Sequence, residues 1–198
     1  DIIILNMIFV VGCIPVITIG TSLSALYAVA MKMARGEDPS VWKEFWKAYK
    51  RNFRPATICW LVMAVIAILL FVDFRIIGVL KRGSESMYGI MRIVLAVILG
   101  MWMLMFQYLF PYIARFENTV KQTLKNAFLL MVRHLPWSLL LLVILIASAL
   151  SIYIIPVLLV VIPAVASIVF DFILERLFRR YMSPEDLERE EENDMYAS

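Results

Sequence analysis

The chain has few of the residues from which catalytic and metal sites are most often built. It holds two cysteines, Cys13 and Cys59, and one histidine, His134. Both cysteines stand alone inside apolar runs, which argues against a disulfide framework and against a zinc site. The sequence also lacks a phosphate loop, a dinucleotide fingerprint and any metal-ligand spacing. We therefore expect a protein that is not an enzyme and that uses no cofactor.

Polar surface is also scarce. Hydrophobic residues make up 63% of the 198 residues and charged residues only 18%, and the mean hydropathy is +0.85. A soluble core of this size could not hide so many Leu, Ile and Val side chains, because a soluble protein must present a mostly polar outside. The composition predicts an integral membrane protein whose first partner is membrane lipid.

The two signs of charge are separated along the chain. Residues 183–198 contain seven acidic side chains and only Arg189 as a basic one, so residues 1–182 keep 18 of the 19 basic and 9 of the 16 acidic residues. An anionic membrane surface attracts such a basic surplus, and no nucleic acid partner is needed to explain it. We divide the chain into a transmembrane domain, residues 1–182, and an acidic cytoplasmic tail, residues 183–198.

Five apolar runs predict an all-α polytopic membrane protein with about five transmembrane helices. Each run is near or above the ~20 residues that a membrane helix needs. Pro156 separates the last two runs and can end one helix and start another, with one long bent helix as the alternative. The runs cover roughly residues 2–31, 56–74, 88–113, 137–154 and 156–174.

The chain opens at Asp1 without a methionine, so we expect native residues to precede it, and no cleavable signal peptide can be read. Lysines and arginines near the ends of the spans predict the orientation. Fourteen of them lie in the 1–2 and 3–4 connections and after the fifth run, against four on the opposite side. The positive-inside rule therefore places these connections and the C-terminus in the cytoplasm and residue 1 outside.

The two cytoplasmic connections carry amphipathic patterns of their own. In the first, we expect Asp38 to be the N-cap and Pro39 the first helical residue, after which aromatic side chains recur at helical spacing on one face. The second, residues 115–136, places apolar side chains from Phe116 to Leu135 on a similar face and its lysines elsewhere. Both connections are predicted to be interfacial helices.

The first apolar run is too long for one straight helix. Residues 2–31 would extend ~45 Å as an α-helix, against a hydrocarbon core of about 30 Å. Pro15 cannot donate a backbone hydrogen bond, and Gly12 lowers the resistance to bending, so we expect a kink or break near Cys13–Pro15. Hydroxyl side chains such as Thr18 can bond the carbonyl groups that a break frees.

Small residues follow the expected break at four-residue spacing. Gly20, Ser24 and Ala28 form a stripe, and such stripes allow membrane helices to pack closely. A broken helix that lines a substrate site, as in transporters, is the alternative interpretation.

Few ionisable side chains approach the bilayer interior. We expect Asp73 to pair with Arg92 toward the outer side, and Asp171 to pair with Arg115 or Arg176 toward the cytoplasmic side. An ionisable residue inside a membrane is a functional candidate by default, because placing a charge there is costly. Structural pairing or snorkelling is the alternative.

Three stretches resemble the YesL-like family of bacterial integral membrane proteins. They are "GCIPVITIGTSLSALYAV", "GEDPSVWKEFWKAYKRNF" and "YLFPYIARFENTVKQTLKNAFLLMVRHLP", and the resemblance extends from residue 2 to about residue 180. It implies a multi-spanning protein of the bacterial cytoplasmic membrane, a domain of unknown function that is often encoded beside carbohydrate-uptake systems. The family has no assigned catalytic residues to carry over.

The second connection carries our candidates for partner docking, Glu117, Lys121, Lys125 and Pro136. Binding-protein-dependent permeases dock on their ATPase through a loop with Glu-Ala-Ala, then Gly, then Leu-Pro. Three positions match that loop, and three depart from it: the matches are Glu117, Leu135 and Pro136, and the departures are Asn118, Thr119 and Thr123.

We therefore expect a non-enzymatic accessory subunit or partner of a bacterial carbohydrate-uptake system of the ABC type. A small oligomeric solute transporter and a structural or regulatory membrane protein are the alternatives.

Overall fold

The computed structural model of this chain describes residues 1–79 and 85–181, so the acidic tail lies outside the described residues. Within these ranges the regular structure is helical, which confirms the predicted all-α class. Short 3-10 turns lie at Val16–Thr18, Pro156–Val160 and Arg179–Tyr181. The α-helices are α1 (Ile2–Cys13), α2 (Ile19–Ala34), α3 (Val41–Val79), α4 (Glu85–Arg115), α5 (Val120–Arg133), α6 (Leu135–Ile154) and α7 (Ile162–Phe178).

Within the part of the chain that the structure describes, four segments are long and apolar enough to cross a membrane, which agrees with a polytopic protein. The two remaining apolar helices are shorter: α1 has 12 residues and α7 has 17, or about 18 Å and 26 Å of helix. Residues 2–31 therefore divide into α1 and the candidate span Val16–Ala34 instead of forming one span. The last apolar run gives a helix of 17 residues, at the lower end of the length that a span needs. The four segments are Val16–Ala34, Val41–Ile77, Met87–Arg115 and Leu135–Ile154.

The break in the first apolar run is a sharp turn. A Cβ atom built on Gly12 would lie 2.5 Å from the Ser22 hydroxyl oxygen, whereas ten residues of continuous helix would separate the two positions by ~15 Å. The chain therefore folds back, and α1 packs against α2. The Thr18 hydroxyl lies 2.9 Å from the Gly12 carbonyl oxygen and 2.8 Å from that of Pro15, so it serves the carbonyl groups that the turn frees.

Asn6 joins the first helix to the last. Its fully buried side chain donates from Nδ2 to the Val160 carbonyl oxygen at 2.8 Å and accepts through Oδ1 from the Ala164 amide at 3.0 Å. These bonds satisfy backbone groups at the start of α7, where a helix leaves its first amides without partners. Our sequence analysis missed this residue, whose only signal is an amide inside an apolar run.

The first predicted interfacial helix is wrong as a separate element. α3 runs without interruption from Val41 through Pro55 to Val79, so Asp38 and Pro39 precede the helix. The aromatic face of its first turns meets protein, because Phe45 is fully buried in a cluster with residues of α1 and α2. Trp42 and Phe53 on the same face are 61% and 42% exposed, so the bundle covers this face only in part.

The second predicted connecting helix is a distinct element. α5 begins with a capping box: the Thr119 hydroxyl accepts a hydrogen bond from the Gln122 amide, and the Gln122 side chain accepts one from the Thr119 amide. Such reciprocal bonds satisfy two of the free amides at a helix start. Thr123 and Ala127 face the bundle, while Phe128 is 42% exposed.

The close approach of α2 to α3 organises the bundle. A Cβ atom built on Gly20 would lie 2.5 Å from Trp60 Cβ and 2.7 Å from the Ala56 carbonyl oxygen. One residue later, the hydroxyl groups of Thr21 and Thr57 are 2.9 Å apart. α2 also contacts α1, α4 and α7, so Gly20 lies on a helix that packs against four others.

We predict that Gly20→Ala lowers the melting temperature in detergent, because the new methyl group meets backbone that must shift. Overpacking of this kind costs about 1–3 kcal/mol, which is several degrees for a chain of this size. Gly100→Ala in α4 is the matched control, since nothing lies within 4 Å of its built Cβ. Equal melting temperatures for the two variants would show that α2 and α3 do not pack as described.

Candidate functional site

The structure treats the two predicted intramembrane pairs differently. Asp73 and Arg92 are both exposed, and among the described residues no ion pair joins them, so that prediction is not supported by the geometry. Asp171, in contrast, is fully buried on the face of α7 that packs against α2. This carboxylate is the centre of the candidate site.

Asp171 has no hydrogen-bond partner for either carboxylate oxygen within the part of the chain that the structure describes. Tyr27 on α2 interacts with it electrostatically, and the charged groups that act on it are Glu175, Arg115 and Arg35. A buried charge without hydrogen bonds is costly unless a nearby opposite charge compensates. The carboxyl group thus lies among charges of both signs and makes no hydrogen bond within the described residues.

Arg115 pairs with Glu175, which lies one helical turn after the predicted partner Asp171. Its Nη2 atom lies 3.2 Å from Glu175 Oε1, and both side chains are largely buried, at 12% and 16% exposure. Arg179 Nε approaches the same oxygen at 3.4 Å. The predicted contact of Asp171 with Arg115 or Arg176 is therefore replaced by this Glu175 pair, because Glu175 reaches the end of α7 where the arginines lie.

A cavity opens at the same end of the bundle, where α2, α3 and α4 meet. Its volume is about 240 Å³, and five basic side chains line it together with Glu44. We call this space the basic cavity. Its basic residues are Lys32, Arg35, Lys47, Arg51 and Arg115.

Acidic side chains compensate part of this charge. Lys32 Nζ binds Glu44 Oε2 at 3.0 Å, and Arg35 Nη2 binds Glu37 Oε1 at 2.7 Å. Arg51 is held more loosely: its Nε atom is 3.9 Å from Glu117 Oε1, and its Nη2 atom donates to the Ala114 carbonyl oxygen at 3.3 Å. These contacts orient the guanidinium and ammonium groups around the cavity.

A second hollow of about 580 Å³ lies between α5 and the ends of α4 and α7. Aromatic and amide side chains line it, and Asn118 and Asn126 both donate to the Tyr112 hydroxyl, at 2.8 Å and 2.7 Å. These bonds hold α5 to the end of α4. At its edge, His134 Nε2 and the Tyr181 hydroxyl are 2.8 Å apart.

The pKa of His134 is lowered from its ordinary value by partial burial, and then by the positive charges of Arg133 and Arg180. A histidine kept neutral in this way favours a hydrogen bond with Tyr181 over a charge.

The residues predicted for partner docking do not form one cluster: Glu117, Lys121 and Lys125 lie at or just before the start of α5, and Pro136 lies beyond its other end. Glu117 is 81% exposed, and Lys121, Lys125 and Pro136 are exposed as well. The residues predicted for the helix break lie elsewhere: Gly12, Pro15 and Thr18 form the turn, and the buried Ser24 hydroxyl donates to the Thr21 carbonyl oxygen at 2.9 Å.

No group of three or more His, Cys, Asp or Glu that could hold a metal occurs in residues 1–79 and 85–181.

Comparison with known proteins places part of this chain in context. A family profile described as "Protein of unknown function, DUF624" matches residues 2–74. The chain is similar to "Uncharacterized protein YteU" of Bacillus subtilis (strain 168), with 28% identity over 117 residues, which is 59% of this chain and 51% of that protein. The chain thus spans about half the length of this relative. No solved structure matches it.

We predict that Asp171→Asn raises the melting temperature in detergent or leaves it unchanged. The substitution keeps the shape and replaces an ionisable group without hydrogen bonds by a neutral one, which costs less to bury than a charge. Glu175→Gln is the control with the opposite expectation, because it breaks a part-buried pair with Arg115. A loss on Asp171→Asn larger than that on Glu175→Gln would mean that contacts hold this carboxylate in place.

Proposed function

We propose that this chain is a non-enzymatic membrane protein of the YesL-like type, and that it acts as an accessory subunit or partner of a bacterial carbohydrate-uptake system of the ABC type. The resemblance of its sequence stretches to that family supports the proposal, as does the profile match over residues 2–74. The structural observation that carries it is that α5 is a separate, capped helix whose first turns expose charged and amide side chains.

α5 is a separate helix between two candidate spans, α4 and α6. The capping box fixes its start, and the hydrogen bond from Asn126 to Tyr112 fixes its inner face. Its first turns expose charged and amide groups, Lys121, Gln122 and Lys125. A helix held on the bundle with a polar outer face in its first turns suits contact with a protein there, because an interfacial helix carries more aromatic side chains toward lipid. The last turns of α5 instead expose Phe128, Leu129 and Val132.

The predicted outcome of Glu117→Ala with Lys121→Ala and Lys125→Ala is weaker co-purification with the ATPase or permease subunit encoded nearby, while membrane insertion stays intact. Rim charges contribute on the order of 1 kcal/mol each at most, so the triple change is needed. The matched control is Lys43→Ala with Lys50→Ala, which removes exposed charges from α3. The control should keep the partner.

Full retention of the partner by the triple variant would remove α5 as the docking surface. If the wild type also copurifies with no transporter subunit, the accessory role fails. Measurable solute flux in liposomes that contain only this chain would then favour a self-contained oligomeric transporter, and the buried Asp171 is the observation that speaks for it.

We further propose that the protein resides in the bacterial cytoplasmic membrane with its C-terminus in the cytoplasm. The support is the positive-inside distribution of Lys and Arg. The basic cavity and α5 then face the cytoplasm, because Arg115 lies at the end of α4 from which the chain enters α5.

Single cysteines in a background without Cys13 and Cys59 test this orientation in intact cells. Cysteines at Ser40 and Lys125, both exposed, should be shielded from an impermeant thiol reagent, and one at Tyr153, which is 85% exposed at the end of α6, should react. Labelling at Ser40 and Lys125 without labelling at Tyr153 would invert the proposed orientation. Our sequence analysis also counted Lys81 and Arg82 on the outer side, but both lie outside the described residues.

A further inference from the structure

The basic cavity concentrates positive charge from three helices in one small space. α2 contributes Lys32 and Arg35, α3 contributes Lys47 and Arg51, and α4 contributes Arg115. Like charges held this close repel one another, and the repulsion grows where water is excluded. Acidic partners offset four of these five charges, but of those acids only Glu44 lines the cavity. The lining thus keeps a positive surplus, which favours an anion over a neutral group.

Its depth makes this charge effective. The side chains of Arg115 and Arg35 are only 12% and 18% exposed, whereas Lys47 and Arg51 stand at the exposed rim. Charges at the floor act through low-dielectric surroundings, and the rim charges attract an anion from outside. Among the described residues Lys47 forms no ion pair within 4 Å, so its ammonium group is available to a ligand.

Small residues create the space between these charges. One alanine from each helix lines the cavity, Ala28 from α2, Ala48 from α3 and Ala114 from α4. The resulting 240 Å³ is below the ~300–1,000 Å³ of sites that enclose drug-sized molecules. This volume suits a compact charged group, and guanidinium groups bind phosphate oxygens with matching geometry.

We propose that the basic cavity binds a phosphate group carried by an anionic molecule at the membrane surface. The group belongs either to the headgroup of an anionic lipid or to a free phosphate compound, and both present the same charged oxygens to the arginines. The proposal does not depend on the accessory role of α5, because its test measures ligand binding by the purified chain and involves no partner subunit. Arg51 lies 3.9 Å from Glu117 of the α5 test, so Lys47→Gln is the variant that leaves the α5 residues untouched.

The full chain in a neutral detergent tests the proposal by its melting temperature. We expect an upward shift with phosphatidylglycerol, with inorganic phosphate at constant ionic strength, or with both, and none with phosphatidylcholine, since a ligand that binds only the folded state stabilises it. A shift with phosphatidylglycerol alone identifies a lipid headgroup. A shift that inorganic phosphate also produces identifies a free phosphate compound.

Variants show whether the shift arises in the cavity. Lys47→Gln with Arg51→Gln should weaken the apparent affinity at least about tenfold, which corresponds to ~1.4 kcal/mol, and Lys47→Gln alone should weaken it by a smaller factor if the double variant does not fold. Ala28→Leu should weaken it as well, because it fills the cavity without changing any charge. Lys43→Gln with Lys50→Gln removes the same charge from outside the cavity and should leave the shift unchanged.

Two results would overturn the proposal. One is a melting temperature that shifts with neither phosphatidylglycerol nor inorganic phosphate. The other is an equal loss in the cavity variants and in Lys43→Gln with Lys50→Gln, because the shift would then reflect the overall charge of the surface.

Discussion

The contact between α2 and α3 at Gly20 is the constraint on which the rest of the bundle depends. With no side chain at this position, the Trp60 side chain and the Ala56 carbonyl group come as close as the backbone permits. Membrane helices associate by such close packing, because lipid supplies no hydrophobic force between them. The same approach aligns Lys32 with Glu44 farther along both helices. Thus the glycine contact also determines which charges meet around the basic cavity.

The prolines show how much of this fold local sequence can predict. Pro15 and Pro156 coincide with interruptions, whereas α3 and α4 continue through Pro55 and Pro111. A proline in a helix interior costs about 3 kcal/mol or more, so a helix continues only where packing offsets that cost. The residues next to Pro15 and Pro156 are exposed: Ile14, Val16, Ile155 and Val157. Pro55 and Pro111 have buried neighbours: Ala56, Phe110 and Tyr112. Sequence alone ranks all four prolines alike, and for that reason the predicted start of a separate second span at residue 56, directly after Pro55, was wrong.

At the candidate site, too, the features set by local chemistry could be predicted from the sequence, and those set by tertiary packing could not. The break after Gly12 and the use of the Thr18 hydroxyl follow from backbone chemistry and could be predicted. The direction in which α1 turns depends on its packing against α2, and the partner of Arg115 depends on where the end of α7 arrives. Neither is encoded in a local pattern. The basic cavity was missed because its five basic residues come from three helices, and in the sequence they look like an ordinary positive-inside signal.

The buried carboxylate and the basic cavity are not independent features. Arg35 and Arg115 line the cavity, and the same two arginines are the positive charges that act on Asp171. An anion bound in the cavity would offset their field and make a charge on Asp171 more costly. Coupling of this kind is reciprocal, so a neutral Asp171 would in turn strengthen binding in the cavity. Asp171→Asn should then tighten phosphate binding to the extent that the carboxyl group is ionised in the native protein, while leaving every cavity side chain in place.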